Sequence, residues 1–117
     1  MKLEVHERIL LLNLLPKEEN YAGVVALRRA KEMLSFTPDE QVYYELKSVP
    51  GPDGKPTVSW NAQKATSQVK DVPVDEYTTN VIRNELAKLD KTKKLTDQHI
   101  SVYEKFVVMY KREYKMD

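Results

Sequence analysis

The chain has 117 residues, with nineteen Lys and Arg against eighteen Asp and Glu and a net charge of +1, so no global field draws it to nucleic acid or a membrane and such binding needs a local patch. It contains no cysteine, which removes structural disulfides, thiolate catalysis and Cys-ligated zinc and fits a reducing cytosol. A length in this range predicts a single domain, residues 1–117, that buries roughly two-thirds of its unfolded surface in one core.

The first residues, MKLEVHERILLLNLLPKEEN, place Glu4, His6, Glu7 and Arg8 ahead of the apolar run, with no small-residue cleavage site after it. That pattern differs from a secretory signal. The run itself, Ile9 to Leu12 and again Leu14 and Leu15, is far shorter than the roughly 20 residues of a membrane span. The expectation is a soluble, cytoplasmic protein that does not enter a membrane.

Residues 4–15 put Ile9, Leu12 and Leu15, flanked by Leu11 and Leu14, on a broad apolar face at helical spacing, and Pro16 stops the helix. Asn20 is a suitable N-cap for a second helix over 21–34, with Gly23, Leu27, Ala30 and Leu34 on one side. Together these predict an αα-hairpin. The stretch TPDE, residues 37–40, has the form of a capping box, with Pro38 at the first helical position and Glu40 at the third. The helix should be brief, because VYYELKSV at 42–49 alternates Val42, Tyr44 and Leu46 in the manner of a strand. PGPDGKP then supplies turn formers, Asp53 among them, and TVSW a second strand with Val58 and Trp60 on one face.

Residues 61–70 are polar and poorly patterned and predict a loop, leading to a short strand near Gln68 to Val72. Asp75 can cap a helix carrying Tyr77, Val81, Ile82, Leu86 and Leu89 on its stripe. A last helix is predicted over about 97–115, with Ile100, Tyr103, Phe106, Val107, Tyr110 and Tyr114 along one face. The class that follows is α+β: an N-terminal helical hairpin, a β-hairpin, and a C-terminal pair of antiparallel helices around one core.

Chemistry-bearing arrangements are sparse. The only glycines are Gly23, Gly51 and Gly54, which make no phosphate loop, and HERIL lacks the second histidine of an HExxH zinc site. His6 and His99 would share a metal or a proton only if the chain ends met. The sequence therefore predicts no catalytic residue, metal or cofactor. Three helices followed by a hairpin is the element order of a winged helix, but the third helix carries Asp39 and Glu40 without a basic side chain, and the wing offers only Lys47 and Lys55.

Seven tyrosines and one tryptophan point instead to protein contacts, where such residues concentrate. Tyr43, across its predicted strand from Tyr44, and Tyr114 are the candidate contact residues, with Lys111 and Arg112 as a polar rim. An exposed remainder of the C-terminal aromatic stripe would support a homodimer. The alternative is an anion or nucleic-acid site that uses the basic residues of the C-terminal helix, 111–115, and those of KLDKTKKLTDQH, where Lys88, Lys91, Lys93 and Lys94 cluster at a joint between helices. The same lysines also offset the negative end of the preceding helix dipole, while Thr96 and Asp97 open the next helix.

Taken together, ERILLLNLLPKEENY, LSFTPDEQ, an isolated VSW and KLTDQHISVYEKF resemble a group of small proteins of unknown function carried by bacteriophages and prophages. The resemblance spans nearly the whole chain through caps and apolar faces, and it brings no catalytic residue. It implies a bacterial cytoplasm and an accessory role in binding a host or phage macromolecule.

Overall fold

Caps and apolar stripes determine where the main helices start and which way they face. In this computed structural model, which describes residues 1–52, 54–66 and 69–109, the elements in chain order are β1 (Lys2–Leu3), α1 (Val5–Leu14), α2 (Tyr21–Leu34), α3 (Pro38–Tyr43), β2 (Lys47–Pro50), β3 (Pro56–Ser59), α4 (Ala62–Thr66), β4 (Lys70–Asp71), α5 (Glu76–Lys91) and α6 (Ile100–Tyr103). A 3-10 turn, Asp97–His99, leads into α6, and a π-helical segment, Glu104–Val108, continues it.

Three caps are those the sequence predicts. Asn20 Oδ1 accepts from the Gly23 N–H at 2.8 Å, Thr37 Oγ1 from the Glu40 N–H at 3.1 Å, and Asp75 Oδ1 from the Thr78 N–H at 2.7 Å. Each satisfies a backbone donor that the helix itself leaves free. The predicted face of α2, Gly23, Leu27, Ala30 and Leu34, is its buried face.

Strand β1 pairs antiparallel with β4, Lys2 opposite Asp71 and Leu3 opposite Lys70, and the Val72 N–H extends the ladder to the Met1 carbonyl at 2.8 Å. β2 and β3 form a separate antiparallel hairpin, Lys47 opposite Ser59 through Pro50 opposite Pro56. The main core joins Leu11 and Leu15 of the α1 region, Leu27 and Leu34 of α2, Ile82 and Leu86 of α5, and Val102 and Phe106 of the last helix. A second, more aromatic cluster gathers Val5, Tyr44 and Ala65 with Ile9, Phe36, Leu46 and Trp60. Tyr103 donates to Asp90 near the end of α5 at 3.3 Å, and Val107 shares a cleft with Asn80 near its start, so the C-terminal helices run antiparallel. The class is α+β, as the sequence predicts.

Four expectations need correction. The alternating stretch from Val42 is not a strand: α3 runs through Tyr43, and Tyr44 caps it. Glu45 follows at φ 56°, with its N–H on the Val42 carbonyl and the Leu46 N–H on the Gln41 carbonyl. This is a Schellman ending, which stops the helix and turns the chain into β2. The predicted loop at 61–70 contains α4, capped by Asn61, whose Oδ1 accepts from the Lys64 N–H at 3.2 Å.

Tyr77 is exposed, because the buried stripe of α5 runs through Thr78, Ile82 and Leu86 and leaves the preceding residue on the flank. Ile100 is likewise exposed, since the last helix turns Val102 and Phe106, not Ile100, toward the core. Tyr110, Lys111, Arg112 and Tyr114, along with Asp53 and Gln68, lie outside the described residues.

Candidate functional site

The second cluster sits where charge is buried. A helical wheel puts Arg8 on the stripe of Leu11 and Leu15, and Glu7 beside it, so both charged side chains enter the interior, Arg8 1 % and Glu7 0 % exposed. Burial of a charge requires partners. Arg8 donates to Glu40 Oε2 at 2.6 Å and Oε1 at 3.3 Å, to the Ser35 carbonyl at 2.6 Å and to the Leu34 carbonyl at 3.2 Å. Its guanidinium lies 3.9 Å from the Phe36 ring centroid, a stacked arrangement that suits a weakly hydrated planar cation.

Burial pushes the Glu40 carboxyl up, but hydrogen bonds from Arg8 and the Thr37 N–H, with the charges of Arg8 and Lys70, outweigh it and hold the pKa at about 2. For Glu7, burial again opposes ionisation. The Glu4 N–H at 2.9 Å and Lys105 Nζ at 2.7 Å overcome it, and the nearby Ser101 hydroxyl adds to them, leaving the carboxyl below its ordinary value. Lys105 also donates to the Lys2 carbonyl at 2.9 Å, so one ammonium ties the last helix to both α1 and β1.

Arg8 and Glu40 thus fix α3 and the 35–37 segment against α1, and the hairpin projects beyond them. Between the hairpin face and α1 lies a half-open groove of about 460 Å³, within the size range of ligand sites. Its floor is Ile9, Leu12, Phe36 and Leu46; its hairpin wall is Lys47, Ser48, Thr57 and Val58. Beside it, α3 exposes Val42 at 79 % and Tyr43 at 44 %. The Tyr43 ring packs edge-on against Tyr44 at 5.1 Å between centroids and lies under Lys64 Nζ at 5.3 Å.

Tyr43 is exposed as the sequence predicts, though from the last turn of a helix instead of a strand. The lysine joint is organised by helix punctuation. Lys93, at φ 58°, directs its N–H to the Asp90 carbonyl, and the Lys94 N–H reaches the Leu89 carbonyl at 2.8 Å, a second Schellman ending. Lys88 pairs with Glu85 at 3.2 Å, and all four lysines are exposed.

The histidines have separate local roles. His6 Nδ1 is 3.5 Å from Glu4 Oε2, and His99 Nδ1 accepts from the Thr96 N–H at 2.9 Å. No group of three or more potential metal ligands occurs among the described residues. The element order of a winged helix is present, yet α3 carries Asp39 and Glu40 in its first turn and commits Glu40 to Arg8. Among the described residues, no helix is long and apolar enough to cross a membrane. No family model, curated protein or solved structure matches the chain.

The groove was not visible in the sequence because its parts come from residues 9–13, 35–41 and 46–58. One signal was available: Arg8 on an apolar stripe demands a distant acid, and TPDE offers Glu40.

Proposed function

We propose that this protein is a non-enzymatic interaction protein, an accessory factor of phage type that binds a host or phage protein in the bacterial cytoplasm. The observation that supports this reading is the apolar-floored groove at the hairpin with the exposed Val42 and Tyr43 ridge beside it. An open apolar surface rimmed by polar groups is the form that protein contacts favour, and the buried Arg8–Glu40 pair gives it a rigid support. The phage setting rests on the sequence resemblance alone.

A photo-crosslinking residue at Val58, compared with one at the exposed Glu32 of α2, tests the proposal in bacterial lysate. A discrete adduct from Val58 alone, lost when Tyr43 is changed to alanine, is the expected result. Equal or absent labelling from both positions refutes it. The nucleic-acid reading draws on the exposed lysines at 88–94, but capping and Glu85 account for part of that cluster. No mobility shift of DNA or RNA at low ionic strength removes it.

A further inference from the structure

Building on the groove as the contact surface, we infer that its occupant is an extended, apolar peptide segment of the partner that carries a carboxylate, and that Lys47 selects it. The lining explains the choice. Ile9, Leu12, Phe36 and Leu46 make an apolar floor, and Lys47 is the only charged side chain among the described lining residues. Among the described residues the Lys47 side chain makes no hydrogen bond or close ion pair, and its charge helps to lower the Glu45 carboxyl, which itself engages Asn61 Nδ2 at 2.7 Å and Lys64 Nζ at 3.6 Å. The nearby Glu40 carboxylate is committed to Arg8. The groove therefore presents one cation above an apolar floor, and the acid that its charge reaches, Glu45, is already bonded to Asn61 and paired with Lys64.

The hairpin limits the shape of the occupant. Among the described residues the hairpin has two strands, so each of β2 and β3 has one edge without a strand partner, a surface along which an extended segment can lie. Pro50, Pro52 and Pro56 remove backbone donors toward the tip. The base, where Lys47 and Ser48 face Ser59 and Val58, retains them. An extended segment entering there brings alternate side chains onto the apolar floor and one acid within reach of the Lys47 ammonium, a charge-assisted contact.

The probes are three short, blocked, fluorescein-labelled peptides of alternating valine and threonine that differ at one central residue: glutamate, glutamine or lysine. Anisotropy at low salt should rank them in that order, with about tenfold between glutamate and lysine. Lys47→Glu, an exposed substitution, should invert the ranking. Backbone amide shifts should fall on Leu12, Leu46, Ser48 and Val58. Equal binding of all three peptides at these amides leaves the groove as a contact surface and overturns the selection by Lys47. Shifts confined to the 88–94 joint, or concentration-dependent shifts of the groove amides without peptide, overturn the inference in favour of another site or a second copy. Binding of no peptide, together with no crosslink from Val58, overturns the groove itself.

Discussion

Replacing Glu40 with glutamine keeps the shape of the side chain, and the amide oxygen retains its bond from the Thr37 N–H, but it removes the negative charge opposite Arg8. Two routes give the magnitude. Holding Glu40 at about 2 against an ordinary value of 4.5 corresponds to about 3 kcal/mol by linkage, an upper figure because the side chain is 20 % exposed. Stranding a buried charge costs about 3–5 kcal/mol, reduced here because Arg8 keeps the Leu34 and Ser35 carbonyls and the Phe36 face.

Both routes converge on a loss of about 2–3 kcal/mol, or roughly 10 °C in Tm for a domain of this size. Urea unfolding followed by circular dichroism and by Trp60 fluorescence, at several pH values, measures it. The folded pKa of Glu40 is depressed, so its stabilisation is complete above the unfolded value near 4.5 and disappears as pH falls toward 2. Wild type and variant should therefore converge at the acid end. A loss under 1 kcal/mol at neutral pH, or a constant difference from pH 7 to pH 2, refutes the electrostatic account.

Other perturbations test the remaining parts of the fold. Lys105→Met strands the fully buried Glu7 carboxylate and should cost about 3 kcal/mol at pH 7. Without the Lys105 hydrogen bond and charge the Glu7 pKa rises relative to wild type while the Glu4 N–H bond remains, so the deficit should shrink as pH falls toward 4, and urea titrations at the two pH values check the sign. Phe106→Ala empties the middle of the main core and should cost about 3–5 kcal/mol in the same assay. Lys93→Gly relieves a left-handed residue and should stabilise by about 1 kcal/mol. Glu45→Gly relieves the same strain but loses the Asn61 hydrogen bond, and should gain less than Lys93→Gly by thermal melting.

What the sequence made legible is what local chemistry determines. Asn20, Thr37 and Asp75 mark helix starts because each side chain caps a donor three residues away. Leu27, Ala30 and Leu34 mark a face because helical spacing alone gathers them. Strand β1 was missed because two residues cannot display alternation, and its partner lies near residue 70. The end of α3 was misread because Val42, Tyr44 and Leu46 alternate across a helix terminus as well as along a strand. The Schellman turn there uses Glu45 where glycine is the usual signal.

Of the four residues chosen for protein contact, Tyr43 is exposed as expected, and Tyr114, Lys111 and Arg112 lie outside the described residues. The groove itself depends on Arg8 finding Glu40 across 32 positions, a pairing that no local window displays.

The π-helical segment Glu104–Val108 has a consequence for the reading frame of the last helix. A wider turn accommodates one more residue than an α-helical one. Here it lets half-buried Lys105 reach Glu7 while its neighbours Phe106 and Val107 fill the core, three successive positions that a regular helix spreads across about 200° of its circumference. Wound as a regular α-helix, the same residues would advance by about 100° each, and the wider turn reduces that step between Lys105 and Val107. The segment thus acts as a phase adjustment, setting an ion-pair residue and two core residues side by side within one turn.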